Sequence, residues 1–293
     1  MTHDQNFKNL IVDYPHAAIR FFAPEAAEDL DDSVLITPIR QEQLKTTLHE
    51  SFRELDCPLL VTWPNKQRES ILFLLEEETQ PRKFCIHRLA HYCLDLAKLN
   101  KTDRVVPVVI FLHPGNRQKA LAIGTEYKTY LNFHYIACYL PGLSYTQYKD
   151  SDNIVACVNL PNMHYPKAQK VDVYAQSIQQ LLVLEKDPQK QTKYVGYINI
   201  YGNLTPQEKQ HYHLHYPEQE KKIMTFLEQS RQQGIQKGMQ QGTAKLLLYL
   251  LGLKFGEIVD QAIRQRILQA EEATLQRWSA QLLTSDRIDE VLT

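Results

Sequence analysis

Near the N-terminus the apolar residues fall at Phe7, Leu10, Ile11, Ala18, Ile19 and Phe22. Steps of three and four mark an amphipathic helix. Pro15 lacks the N–H that an interior turn needs, so the helix is predicted to break there. Asp4 stands where an N-cap carboxylate would accept the first free N–H groups. "APEAAEDLDDS" reads as an acidic connection and "QEQLKTTLHESF" as another short helix. The period then shortens. "ELDCPLLVTW" and "SILFLLEEE" are apolar runs of strand length, separated by "PNKQRE". Pro64 and Asn65 are turn residues, so the pair is predicted to form an antiparallel hairpin.

"FCIHRLAHYCLDLAKL" returns to helical spacing, and "VVPVVIFLH" is almost wholly apolar and β-branched. The latter is the composition of a central strand covered on both faces. "YLNFHYIACYLPGL" predicts one further strand, "DNIVACVNLP" fits strand or helix, and "AQKVDVYAQSIQQLLVLEK" predicts a helix. Beyond about Pro217 the chain turns polar and helical, with Gly234, Gly238 and Gly242 four apart. That spacing suits a helical linker, or close helix packing and a homo-oligomer through the C-terminal helices. Helices are also predicted around 259–270 and 273–283, with a short last one in "TSDRIDEVL". The pattern as a whole predicts an α/β domain over 1–200, a helical linker over 201–242 and a helical domain over 243–293.

Composition narrows the setting. Hydrophobic residues make up 43% and charged residues 23%, as in ordinary globular proteins. No apolar run approaches the roughly 18 residues of a membrane helix, and the start lacks a basic-then-apolar leader. The five cysteines are odd in number and include no CxxC pair, which fits a reducing cytoplasm. A net charge of −1 argues against strong nonspecific DNA binding. Residues 1–60 carry 5 Lys/Arg against 11 Asp/Glu, whereas 61–200 carry 17 against 12. A mildly basic middle is therefore available to face phosphates.

The chemistry concentrates where the second strand ends. Glu76, Glu77 and Glu78 are consecutive there. Adjacent carboxylates near a core repel and lose hydration, which calls for solvent, a salt-bridge cluster or a divalent metal. In a hairpin turning near Asn65–Lys66, Asp56 becomes the cross-strand neighbour of Glu76. Alternation sets Glu78 on the same face and Glu77 on the other. Such carboxylates suit Mg²⁺ or Mn²⁺, while a solvated acidic turn partnered by Arg82, Lys83 or Arg88 remains open. "HYHLHY" and "HRLAH" each set two histidines at helical spacing, with no convergent third ligand. The run Tyr127, Tyr130, Phe133, Tyr135 and Tyr139 offers rings on which bases could stack, though such rings more often fill a sheet core.

The order helix, Asp-bearing strand, hairpin, Glu-ending strand, helix, strand resembles the PD-(D/E)xK nuclease core. "HDQNFK", "RELD", "LLEEETQP", "HRLAHY" and "VVPVVIFLHPG" are similar to the recombination-promoting nuclease (Rpn)/transposase family. "GIQKGMQQG" and the C-terminal tail resemble the extension often attached to that family. The resemblance implies a restriction-endonuclease-like α/β fold, a mixed central sheet flanked by helices. It implies a cytoplasmic Mg²⁺- or Mn²⁺-dependent hydrolase of DNA phosphodiesters, acting in recombination or transposition-like events. Asp56 and Glu76 match the metal-binding acids. Glu78 stands where the wider superfamily has lysine, as a third ligand or a base. Gln80 would orient water; Arg88 and Tyr92 would hold the phosphate or brace the acidic strand; Asp4 would complete the site. The departure at Glu78 leaves a second reading, a nuclease-like scaffold that binds DNA or a protein without cutting.

Overall fold

The computed structural model describes residues 3–39, 57–65, 68–76, 84–115, 117–256 and 259–292; for 3, 4, 68–70 and 72–76 it describes the backbone alone. Two compact units are present, Met1–Glu220 and Lys221–Thr293.

The first unit opens with α1 (His3–Asp13) and α2 (Pro15–Phe22). Pro15 at the first position of α2 divides them, as the sequence predicts. α1 already includes His3, so Asp4 lies inside its first turn; the predicted N-cap role is corrected. Phe7, Leu10, Ile11, Ala18, Ile19 and Phe22 are all buried.

Next come β1 (Leu35–Pro38), β2 (Cys57–Thr62), β3 (Arg68–Glu76), α3 (Ile86–Asn100) and β4 (Val105–Phe111). After them lie β5 (Ala120–Gly124), β6 (Thr129–His134) and β7 (Ile136–Tyr139). The main sheet has the order β1-β2-β3-β4-β7. β1 pairs antiparallel with β2, and β2 with β3. β4 is parallel to both β3 and β7, with α3 making the crossover from β3. The sheet is therefore mixed. Val108 to Phe111 have no exposed surface, which fits a strand covered on both faces.

Two expectations change. "YLNFHYIACYLPGL" forms two strands rather than one, since β6 leaves at Tyr135 to pair with β5 in a separate two-stranded sheet. β1 and β5 are too short to announce themselves by period. The last described strand of the first unit ends at Tyr139, and the described elements between there and residue 216 are all helical. The predicted helix in "QEQLKTTLHESF" lies outside the described residues.

That helical layer comprises α4 (Tyr145–Tyr148), α5 (Ile154–Val158), α6 (Lys170–Leu184), α7 (Pro188–Gly202) and α8 (Pro206–His215). The ambiguous "DNIVACVNLP" resolves as α5 because Asn153 caps it, accepting from the N–H groups of Val155 and Ala156. Fully buried Asn159 donates to the Val155 carbonyl and accepts from the Tyr197 hydroxyl at 2.7 Å. Asp13 at the end of α1 accepts from Lys193 at 2.6 Å and Tyr194 at 2.7 Å, fastening α1 to α7. Thr205 and Glu208 form a capping box at α8, and Lys170 reaches Glu208 at 2.8 Å.

The second unit takes most of α9 (Pro217–Phe255), then α10 (Gln261–Gln269), α11 (Glu272–Gln281) and α12 (Ile288–Val291). α9 runs unbroken through 242–243 and ends at Gly256, whose φ of 64° is the left-handed conformation that favours glycine. Ala244, Leu247 and Leu251 pack with Ile267, Leu275, Trp278, Leu282 and Val291.

Candidate functional site

The described part of the predicted acidic site begins with two strand ends. β2 starts at Cys57, the residue after Asp56; β3 ends at Glu76. The hairpin register pairs Cys57 with Phe73 and Thr62 with Arg68, so the turn centres on Asn65, as predicted. Asp56, Glu78, Gln80 and Lys83 lie outside the described residues, and of Glu76 and Asp4 only the backbone is described.

Position 76 pairs with Phe111, the last residue of β4. Phe111 is buried in a ring of aromatic side chains. Tyr139 stacks on it with ring centres 4.6 Å apart and planes 14° apart. Phe84 meets it edge-on at 5.7 Å. The Arg117 guanidinium lies 4.6 Å from the ring centre, a cation–π contact, and donates to the His113 carbonyl at 3.2 Å. Arg117 is itself only 5% exposed, unusual for arginine. Tyr135 adjoins Phe84 and donates to the Gln118 carbonyl. Burial pushes the Tyr135 phenol up to about 12; Tyr139 adds to the rise and Arg117 opposes it.

α3 covers this end of the sheet. Leu89, Tyr92, Cys93 and Leu96 pack with Val109 and Phe111. Tyr92 is 3% exposed and belongs to the same cluster as Phe111. Arg88 sits one turn earlier on the same side of α3. Its Nε is buried and has no hydrogen-bond partner among the described residues. A buried guanidinium nitrogen without an acceptor is costly, and an anion would relieve it. The backbone at Glu76 thus borders the strand end where Tyr92 packs.

The β5–β6 hairpin rests on the other side of α3, where Leu121 packs with Ile86 and Ala90. Its far end is open to solvent. Tyr127 and Tyr130 are 95% and 70% exposed, and Lys128 lies 5.2 Å from the Tyr130 ring centre. This corrects the reading of the aromatic run as core filling: Phe133, Tyr135 and Tyr139 are inward members, whereas Tyr127 and Tyr130 are outward. Tyr127 lies in the turn between β5 and β6, and Tyr130 and Phe133, three apart on β6, point to opposite faces. Arg117 was missed, because "GNRQKA" reads only as a loop.

Among the described residues, no group of three or more His, Cys, Asp or Glu could hold a metal ion. His211 and His215 stack at 4.0 Å on α8, and His213 pairs with Glu220 at 2.6 Å. His87 and His91 face solvent on α3. No described helix is long and apolar enough to cross a membrane. No family model, curated protein or solved structure matches the chain.

Proposed function

We propose that the chain is a metal-dependent DNA endonuclease of the PD-(D/E)xK type. The observation that carries the proposal is the strand order. An antiparallel β1-β2-β3 series is succeeded by a helix and a parallel β4, with Asp56 just before β2 and Glu76 ending β3. The reading requires the β2–β3 ladder to run one residue past Cys57. Position 56 would then face Leu74 and lie diagonal to position 76, two residues away from the direct Asp56–Glu76 pairing predicted from the sequence. Asp56, Glu76 and Glu78 would hold Mg²⁺ or Mn²⁺. When bound, such an ion polarises a phosphodiester and makes nearby water more acidic.

The remaining roles fall to the chain itself. Arg88 offers an unsatisfied buried N–H to a phosphate oxygen, in place of the lysine that position 78 lacks. Tyr92, packed with Phe111, keeps that turn of α3 against the sheet. Gln80 orients water. Tyr127, Tyr130 and Lys128 supply rings and a cation for unstacked bases and backbone. The second reading is a scaffold that binds DNA or a protein without cutting, favoured by the carboxylate at position 78.

Incubation of supercoiled plasmid with the protein and Mg²⁺ or Mn²⁺ separates the two. Nicking is expected, with losses of about 100-fold or more in Asp56→Ala, Glu76→Ala and Arg88→Ala, as when a key charge-stabilising group is removed. Absence of nicking with both metals supports the scaffold, and nicking indifferent to the two acid variants contradicts the assigned metal ligands.

A further inference from the structure

α9 has two apolar faces. One is used by its own unit: Ala244, Leu247 and Leu251 are buried against α10 to α12. Gln240, Thr243 and Lys254 lie towards the same side. They donate to the Ala270 carbonyl at 2.6 Å, Glu272 at 3.0 Å and the Leu282 carbonyl at 2.8 Å. The opposite face has no such cover among the described residues. Ile235, Met239, Leu246, Tyr249 and Leu253 are 50%, 59%, 57%, 64% and 67% exposed. Together with Gly242 they alternate between steps of four and three residues along the helix. At 3.6 residues per turn the six positions stay within about 40° of one line, roughly opposite Ala244. That repeat of seven is the seam of a coiled coil, whereas a solvated helix face is polar.

We infer that a second copy of this chain packs on this face, antiparallel, with the two-fold axis level with residue 244. The spacing is self-complementary about that level. Gly242 then meets Leu246 of the second copy, Met239 meets its Tyr249, and Ile235 meets its Leu253. The smallest residue faces a branched one, which is how close-packed layers fill space. Gly238, beside the seam, comes level with Leu250 of the second copy. A Cβ added at Gly238, Gly242 or Gly252 would touch nothing within 4 Å in its own chain, so the space beside them is free for a neighbouring helix. A parallel pair would instead set Gly242 on Gly242 and Tyr249 on Tyr249, leaving a void beside a crowded layer. Lys245 flanks the seam, where its stem covers apolar surface and its ammonium reaches water. The five large side chains expose on the order of 600 Å² per copy, taking roughly 200 Å² for each residue. The pair would bury about 1,200 Å², the lower end of stable specific interfaces. This pairing does not depend on nuclease chemistry.

Sedimentation of the full chain at micromolar concentration tests it. The expected species has twice the 34.2 kDa of one copy. The double variant Leu246→Glu/Leu253→Glu alters exposed side chains only, and should sediment as one copy with unchanged far-ultraviolet circular dichroism. In a Cys85→Ser background, Met239→Cys together with Tyr249→Cys should cross-link two copies on oxidation. Met239→Cys alone should not, because antiparallel copies would hold those positions about 15 Å apart along the axis. A monomeric wild-type chain overturns the inference, as does a dimer that survives the double variant. Cross-linking by Met239→Cys alone overturns the antiparallel order. Should the double variant lose helix, the cysteine pair decides by itself, and failure to cross-link overturns the inference.

Discussion

Tyr194 is 1% exposed yet places its hydroxyl 2.7 Å from the Asp13 carboxylate. Burial, then that hydrogen bond, holds its phenol well above the usual range. Tyr14 is raised in the same way, by burial and its bond to Glu185. Burial alone pushes Tyr174 up to about 12. In the unfolded chain these phenols lose their protons near pH 10. Above that pH the folded state holds more protons, so stability is full below pH 10 and falls as pH rises towards 12. Each such phenol should cost on the order of 1 kcal/mol at pH 11. Urea unfolding at pH about 9 and about 11 should show the midpoint dropping; equal midpoints would contradict the assignment. None of this is visible in sequence, where Tyr194 is one of 16 tyrosines. Its partner Asp13 is 181 residues away, and no local pattern encodes that contact.

The helix–strand alternation was legible where one element carries its own signal. Pro15, the Pro64–Asn65 turn, the apolar run of β4 and the helical face of α3 all act within a few residues. α7 was not legible: "PQKQTKYVGYINIYG" has weak periodicity, and its buried Tyr194, Tyr197 and Ile198 depend on partners elsewhere in the unit. β5 likewise exists through pairing with β6. α9 shows both limits at once. Its glycines were evident, but which face its own unit occupies was not. Leu247 and Leu246 are adjacent in sequence, yet 0% and 57% exposed. Leu247→Ala should lower stability by about 2–5 kcal/mol, the cost of a buried cavity. Thermal unfolding checks this, and a loss under about 0.5 kcal/mol, the surface norm, would contradict the packing of α9 on α11.

At the scale of the whole molecule, the chain pairs a mixed-sheet α/β unit with a helical unit that has its own core. Composition shifts near Pro217, but the boundaries predicted from sequence stood at 200 and 242, whereas the two units divide between Glu220 and Lys221. The sequence offered the candidate acids only as a cluster of residue types, while the packing around Phe111, Tyr92 and Arg117 emerged only from long-range contacts. One physical demand underlies the proposed chemistry: carboxylates at 56 and 76 share a divalent cation. Calorimetric titration of Mn²⁺ into the full chain tests this without requiring turnover. One saturable site is expected, weakened about tenfold or more in both Asp56→Ala and Glu76→Ala. A wild-type chain that takes up no Mn²⁺, or variants that bind it as well as wild type, would contradict the shared site.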